Sequence, residues 1–518
     1  MLRFRGFAFL IAASVAASML SVSTPAISLA SRAPQLRNAP AKLGTRIHVP
    51  ARFRAGMVGR TIQAQVDGGT GTSTTAPAFD TFKPPAGMAM DAGEPSIGVN
   101  WNTGNIMFQA YTETDRVTID DSSTPPTATW TDVSAPNAVI SLDPILFTDP
   151  VSGITSTSQL LSSLYVPTGG CSLAMVTSDD GETWLPSTGC GVPGSYDHQT
   201  IGGGAYADPS AHPQALEDRA TYYCGQNGYM ANCSLSTDGG ITYGPGIPTY
   251  TDVTGPVNDA APGGVCIGLH GHIKVGPDGT AYLPNFGCNE GGTDLQGVVV
   301  SEDDGLTWDA RTVPGALYND FKSDPSVGIS TDSTLYFAYE PKDGPVQVVV
   351  SHDKGETWTQ PIALGSDLNV AYGVFPAVVA GDPDRAAVAY IGTPDATNLP
   401  NDYENKDYAG AWHLYVSTTY DGGQTWTTTD TTPTDPVQRG CVWWGNPGGC
   451  PSGQRNLLDF MDATLDQYGR VVVGYADGCI NACVTGGANT QEDIGAIARQ
   501  SAGLSMYTQY DSMFTPAV

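Results

Sequence analysis

The chain has 518 residues, with 52 acidic and 23 basic side chains, a formal net charge of −29 and ten cysteines. Nine of the basic residues precede position 61 and no acid precedes Asp67, so the rest of the chain sets 14 basic residues against all 52 acids. Such a balance argues against nucleic acid and anionic membrane surfaces as partners, since both are held by clustered Lys and Arg. It suits a soluble protein outside the cell that attracts cations.

Residues 1–30 read as a secretory signal. Arg3 and Arg5 form its charged start, Gly6 to Leu20 is apolar but short for a bilayer span, and Ser28-Leu29-Ala30 offers a small-x-small cleavage site. An uncleaved anchor is the alternative. No later run is long and apolar enough to cross a membrane, so no span is expected once the signal is removed. Residues 31–76, rich in Ala, Pro, Arg, Gly and Thr, read as a tail or pro-segment. Within it Thr61 to Val66 (TIQAQV) is a candidate strand for closing a ring. Residues 77–518 carry everything else.

Five copies of one pattern punctuate that region: TSDDGETW (Thr177 to Trp184), STDGGITY (Ser236 to Tyr243), SEDDGLTW (Ser301 to Trp308), SHDKGETW (Ser351 to Trp358) and TYDGGQTW (Thr419 to Trp426). Each is a hairpin turn with a mechanism. Asp179, Asp238, Asp303, Asp353 and Asp421 can accept backbone N–H groups across the turn. Gly181, Gly240, Gly305, Gly355 and Gly423 supply a positive φ. The terminal Trp or Tyr begins the next strand and buries its ring. A turn motif recurring at this spacing signals blades or arrays.

These residues resemble the Asp-box (BNR) repeats of the sialidase superfamily, which also includes xyloglucan-cleaving hydrolases and sortilin-type receptors. The resemblance implies an all-β fold, a single β-propeller, with the boxes between the third and fourth strands of four-stranded blades. It implies a structural role for the boxes, away from any active-site end of the channel. The strands between the boxes fit. CSLAMVTS, GVVVSE, QVVVSH and HLYVST read as third strands, and IMFQAY, TYYCGQ, TAYLPN, TLYFAY, AAVAYI and VVVGYA as second strands. Innermost strands follow Glu94, Asp143, His198, His270, Asp324, Phe375 and Asp462, which gives seven blades, with six the alternative. Asp120 to Trp130 and Arg499 to Met506 are degenerate boxes of the first and last blades. Helix content should be very low.

Aligning the innermost strands on Ile97, Leu146, Ile201, Ile273, Val327, Val378 and Leu465 puts Glu94, Asp143, His198, His270, Asp324, Phe375 and Asp462 at one equivalent position around a channel mouth. Converging carboxylates must bind a cation, hold a proton or stay hydrated. Asp143, Asp324 and Asp462 are therefore candidate ligands for Ca²⁺, which takes oxygen donors in forgiving geometry. Glu94, Asp143, Asp324 and Asp462 are candidate catalytic carboxyls, because glycosidic-bond hydrolysis needs one acid and one base or nucleophile. A strand-start turn capped by an acid is the plain alternative. His198, Arg219, His270 and Phe375 are candidate substrate-binding residues, as are Trp443 and Trp444 in the Gly/Pro-rich loop RGCVWWGNPGGC. His270-x-His272 places two imidazoles on one strand face, and Arg219 beside Glu217 and Asp218 reads more readily as an ion pair.

In an exported chain an even cysteine count points to disulfides rather than metal. Near neighbours would pair: Cys171–Cys190, Cys224–Cys233, Cys266–Cys288, Cys441–Cys450 and Cys479–Cys483. The resemblance raises sialidase activity, which uses three arginines, a Tyr–Glu pair and an Asp. Eight arginines follow position 100, and none can be assigned to that triad. The expected function is a secreted or cell-envelope propeller, a monomer, that binds or hydrolyses extracellular glycans at an acidic channel mouth. A non-catalytic scaffold for a protein or cell-wall partner is the alternative.

Overall fold

Seven antiparallel blades follow one another along the chain in a computed structural model that describes residues 76–136, 138, 143–160, 172–187, 197–226, 230–252, 265–266, 269–319, 323–395, 408–442 and 456–514. The first four blades start with Ser96–Val99, Ile145–Thr148, Asp197–Gly204 and Lys274–Val275. The last three start with Ser326–Ile329, Tyr372–Ala380 and Asp462–Leu465. Each of these innermost strands touches the next in order, and the seventh touches the first, so the blades form a ring. Blades three and four are joined by Val265–Cys266, which pairs parallel with Ile247–Asp252 and antiparallel with Ala281–Glu290. Among the described residues the longest helix is the four-residue Asp511–Phe514. None is long and apolar enough to cross a membrane.

The second strands explain why the sequence reads as it does. Ile106–Ala110, Leu335–Tyr339, Ala386–Thr393 and Val471–Asp477 are buried along their whole length. A neighbouring blade covers each face, so both side-chain parities must be accommodated away from water. That is why VVVGYA and TLYFAY run apolar rather than alternate. The innermost strands pack still closer. A Cβ on Gly98 would lie 2.4 Å from Thr148 Oγ1, and one on Gly202 would lie 2.3 Å from the Ile273 carbonyl oxygen. Only glycine lets those backbones approach.

Ring closure falls to Ala78–Phe82, which pairs antiparallel with Ile494–Ala502 as the outermost strand of the last blade. The candidate Thr61 to Val66 lies outside the described residues. So do the signal, the rest of the tail, Cys171, Cys190 and Cys450. Cys224–Cys233, Cys266–Cys288 and Cys479–Cys483 are bonded as their spacing suggested, and Cys441 is also disulfide-bonded.

The five turns share one hydrogen-bond set. In each, the opening Ser or Thr hydroxyl accepts the glycine N–H at 2.8–3.0 Å. The Asp Oδ1 accepts the backbone N–H of the Thr four residues on at 2.8–2.9 Å. Its Oδ2 accepts that threonine's hydroxyl at 2.6–2.7 Å. Two left-handed residues in succession are needed, as in Asp304 (φ 59°) and Gly305 (φ 81°). The residue before the glycine also ties blades together. Asp180 accepts Asn100 Nδ2 at 2.7 Å and Asn105 Nδ2 at 2.8 Å. Asp304 accepts the N–H of Ala207 at 2.7 Å and lies 3.0 Å from His212 Nε2. All of this sits on the back face, where the innermost strands end.

Replacing Asp421 with Ala removes its bonds from the Thr425 N–H and hydroxyl and from the Thr419 hydroxyl, so the urea midpoint should fall by the equivalent of about 1–3 kcal/mol with the slope unchanged. An unaltered midpoint would show that the turns do not stabilise the ring.

Candidate functional site

The front face, where the innermost strands begin, gathers the residues aligned from sequence. Glu94, Asp143, His198 and Phe375 share an uncommon backbone state, with φ of 59°, 46°, 47° and 58°. Non-glycine residues rarely adopt it, so its recurrence at four aligned positions marks them as one structural site in four blades. His198 is the hub. Its backbone N–H donates to Asp143 Oδ2 at 2.8 Å. Its Nδ1 lies 3.3 Å from the His270 carbonyl oxygen and 3.7 Å from Asp324 Oδ2. Donation to a carbonyl requires the proton on Nδ1. Blades two, three, four and five therefore meet at this ring.

Asp462 departs from the expected alignment. Pairing places Ile97 opposite Phe108, Leu146 opposite Thr157, Val327 opposite Phe337 and Val378 opposite Val388. Each stands two residues before the last pair of its hairpin. In the last blade that position belongs to Ala463, opposite Val473, because Leu465 is already the final pair. The residue three places before Ala463 is Phe460, not Asp462. Asp462 stands instead at the level of Thr200 and Ser326, whose hydroxyls each accept the N–H of the next blade, from Ile273 and Val378 respectively, at 3.1 Å. It does the same work, accepting Ile97 N–H at 3.3 Å. Its other oxygen accepts Ala463 N–H at 2.8 Å and lies 3.6 Å from Lys274 Nζ. The aligned ring thus has a polar arc on blades one to five and two phenylalanines, Phe375 and Phe460, on blades six and seven.

Across the channel, His272 meets Phe460 edge-on at 4.4 Å between ring centroids. Lys274 and Phe460 carried no sequence signal, since one is a lone cation and the other a lone aromatic among apolar residues. Glu94 is buried, and Phe375, 1 % exposed, packs in the hydrophobic core and offers no open aromatic face. Arg219 does not join the group. It forms an ion pair on the back face, at 2.5 Å with Asp149, an acid outside its sequence neighbourhood. Trp443 and Trp444 lie outside the described residues.

Burial governs the electrostatics. It pushes the Asp324 carboxyl up to about 6, with nearby His198 pulling it down and Asp459 and Asp143 pushing it further up. Burial also drives His270 down to about 3 and His272 to about 4. Both imidazoles are therefore neutral at neutral pH. His270 Nδ1 lies 3.0 Å from the Gly271 carbonyl oxygen, which leaves Nε2 as a bare acceptor, buried and without a hydrogen-bond partner. Both Asp324 oxygens likewise lack a hydrogen bond, His198 being in ion-pair range only. Buried polar atoms left in this state are costly unless something meets them. Among the described residues no three His, Cys, Asp or Glu side chains are placed to hold one metal ion, so the calcium expectation draws no support from the geometry.

The described arginines are already committed. Arg116 pairs with Glu182, Arg311 with Glu302 and Glu356, and Arg385 with Asp511. Arg439 donates to the carbonyls of Cys483 and Val484, and Arg470 and Arg499 share Asp121. Among them no guanidinium triad forms.

No family model and no curated protein matches the sequence. Solved structures similar to it include a Hadza microbial sialidase, Hz136, at 15 % identity and a TM-score of 0.39, over 69 % of this chain and 65 % of that one. A GH74 xyloglucanase from Xanthomonas campestris matches at 13 % identity and 0.43, over 77 % and 53 %. The endosialidase of phage phi92 matches at 8 % and 0.42, over 82 % and 69 %. The chain thus spans less than two thirds of the first two, and no residue role passes from any of them to this chain.

Two pH effects follow. His270 and His272 are depressed below the ordinary histidine value of about 6.5, so the stability they confer is present above it and lost as pH falls towards about 4 and then 3. Asp324 is raised, so its contribution is present below about 3.8 and lost as pH climbs through about 6. Urea titrations between about pH 4 and pH 8 should show His270→Gln flattening the acid-side loss and Asp324→Asn gaining on wild type above about pH 6. Parallel profiles for all three proteins would contradict the assignment.

Proposed function

We propose that the protein is an exported, monomeric glycan-active propeller whose front channel mouth binds an extracellular polysaccharide and cleaves its glycosidic bonds. One observation carries the reading: the buried Asp324 carboxyl and the bare His270 Nε2 stand around one imidazole, His198, with no hydrogen-bond partners of their own. A polyhydroxylated ligand supplies the matching groups, since each sugar hydroxyl both donates and accepts. The box turns bring carbohydrate in as the ligand class, because they resemble those of a superfamily with glycan-cleaving members.

Asp324 and Asp143 suit different tasks. Asp324 keeps a share of its proton near pH 6 and serves as the acid towards a leaving oxygen. Asp143, which accepts the His198 backbone N–H, serves as the second carboxyl. The commitment of every described arginine makes a neutral sugar a better fit than an anionic one, for which a guanidinium fork would be the natural clamp.

A glycan array paired with a hydrolysis screen tests the reading. Asp324→Asn should cut turnover by about 10²-fold or more while binding holds and the melting temperature does not fall. An intact wild-type protein that binds and cleaves no glycan, yet retains a protein or cell-wall partner in pull-down, would replace it with the scaffold reading.

A further inference from the structure

A cavity lies on the back face between the last blade and the first, independent of the channel mouth. It holds about 210 Å³ and is lined by the loop after Asp462–Leu465, the start of Ile106–Ala110 and the end of Glu113–Asp120. Two guanidiniums reach it, Arg470 and Arg499, 8 % and 5 % exposed. Buried arginine is uncommon, and two in one cavity stand out in a chain with this excess of acid.

Their counter-ions differ in kind. Asp466 is buried and fixed, accepting the N–H groups of Tyr468 and Arg470 at 2.9 Å and Arg470 Nε at 2.5 Å. Asp121 sits on a surface turn with its side chain 48 % exposed. It accepts Arg470 Nη1 at 3.0 Å and both terminal nitrogens of Arg499. A single carboxylate spanning two guanidiniums is the geometry by which arginine recognises planar oxyanions. Arg499 Nε, by contrast, has no hydrogen-bond partner. The guanidinium is braced from below by Phe82, 5.5 Å from its ring centroid. Thr103 and Thr118 at the rim are exposed.

We propose that this cavity is an oxyanion-binding site for a carboxylate or sulfate group, for which Asp121 is the resident stand-in. Swinging the Asp121 turn outward removes one negative charge and leaves Asp466 against two cations. The emptied position then carries a net positive charge, two guanidinium forks and the free Arg499 Nε. Its volume is below the ~300 Å³ at which drug-sized sites begin, so it takes one small anionic group, such as that of an acidic or sulfated sugar, and not a chain. Because Phe82 belongs to the ring-closing strand, occupancy also braces the seam between last and first blades.

Titration calorimetry with sodium glucuronate and with sodium sulfate, at ionic strength matched with chloride, tests this. Asp121→Asn should bind at least one of them about tenfold more tightly than wild type, and adding Arg470→Gln should abolish the gain. Glucuronate alone would mark a sugar carboxylate as the ligand, and sulfate alone a sulfate ester. Should Asp121→Asn fail to fold, Thr103→Trp, which fills the mouth, should remove the weak wild-type binding. No binding by a folded Asp121→Asn protein, or affinity equal to wild type, overturns the site and leaves Asp121 as a latch between blades, without touching the channel-mouth reading.

Discussion

Everything in this molecule depends on one strand pairing, that of Ala78–Phe82 with Ile494–Ala502. A blade buries both faces only if it has a neighbour on each side, and the first and last blades gain theirs only when the ring shuts. The closing strand crosses more than four hundred positions of sequence, so closure carries a large loop entropy that must be offset by the seam. The seam is correspondingly well furnished. Asp462 accepts Ile97 N–H on the front side, and Asp121 joins Arg470 and Arg499 on the back. Closure is also what makes chemistry available. Residues Asp143, His198, His270 and Asp324, unremarkable one by one, become a group because their strands share a hub.

The two faces divide the charge. On the back, carboxylates of the box turns are spent within the turns, and others on arginines, as Asp121 is on Arg470 and Arg499. Asp353, for example, is held below the usual carboxylate range by the side chain and then the backbone N–H of Thr357. On the front, carboxyls crowd with few cations. Burial raises Asp324, and it raises Asp115, beside Glu113, to about 8. Asp493 rises to about 6 for the same first reason, with Asp91 and Glu492 adding to it.

Much of this was legible in the chain. In the box turns the Asp acceptor and the positive-φ glycine could be read from the chain, while the two hydroxyl bonds could not. Blade number followed from counting the innermost strands, since five full boxes mark only five blades. Four of the aligned positions, Glu94, Asp143, His198 and Phe375, share one backbone state, while the alignment slips in the last blade for a physical reason. A strand repeats every two residues, so a slip of two keeps every side chain on its proper face and leaves no trace in the pattern. DFMDATLD offers apolar residues on both sides of such a slip, so the sequence pattern alone places Asp462 at the rim, whereas it stands inside. The contacts of Lys274 and Phe460 across the channel could not be read either, since strand patterns do not specify which blades face each other across a hub. Nor could the Asp121 seam, whose members lie far apart in sequence and carry no motif.

The central claim is that residues separated by long stretches of chain act on one another at the front mouth, and a double-mutant cycle on His198 and Asp324 tests it most directly. Folding free energies of wild type, His198→Gln, Asp324→Asn and the double variant, taken near pH 7, give the coupling. Convergence of the kind described predicts a coupling energy of about 0.5–3 kcal/mol. Additivity to within about 0.3 kcal/mol would mean that the two side chains do not meet, and the shared site would fall with them.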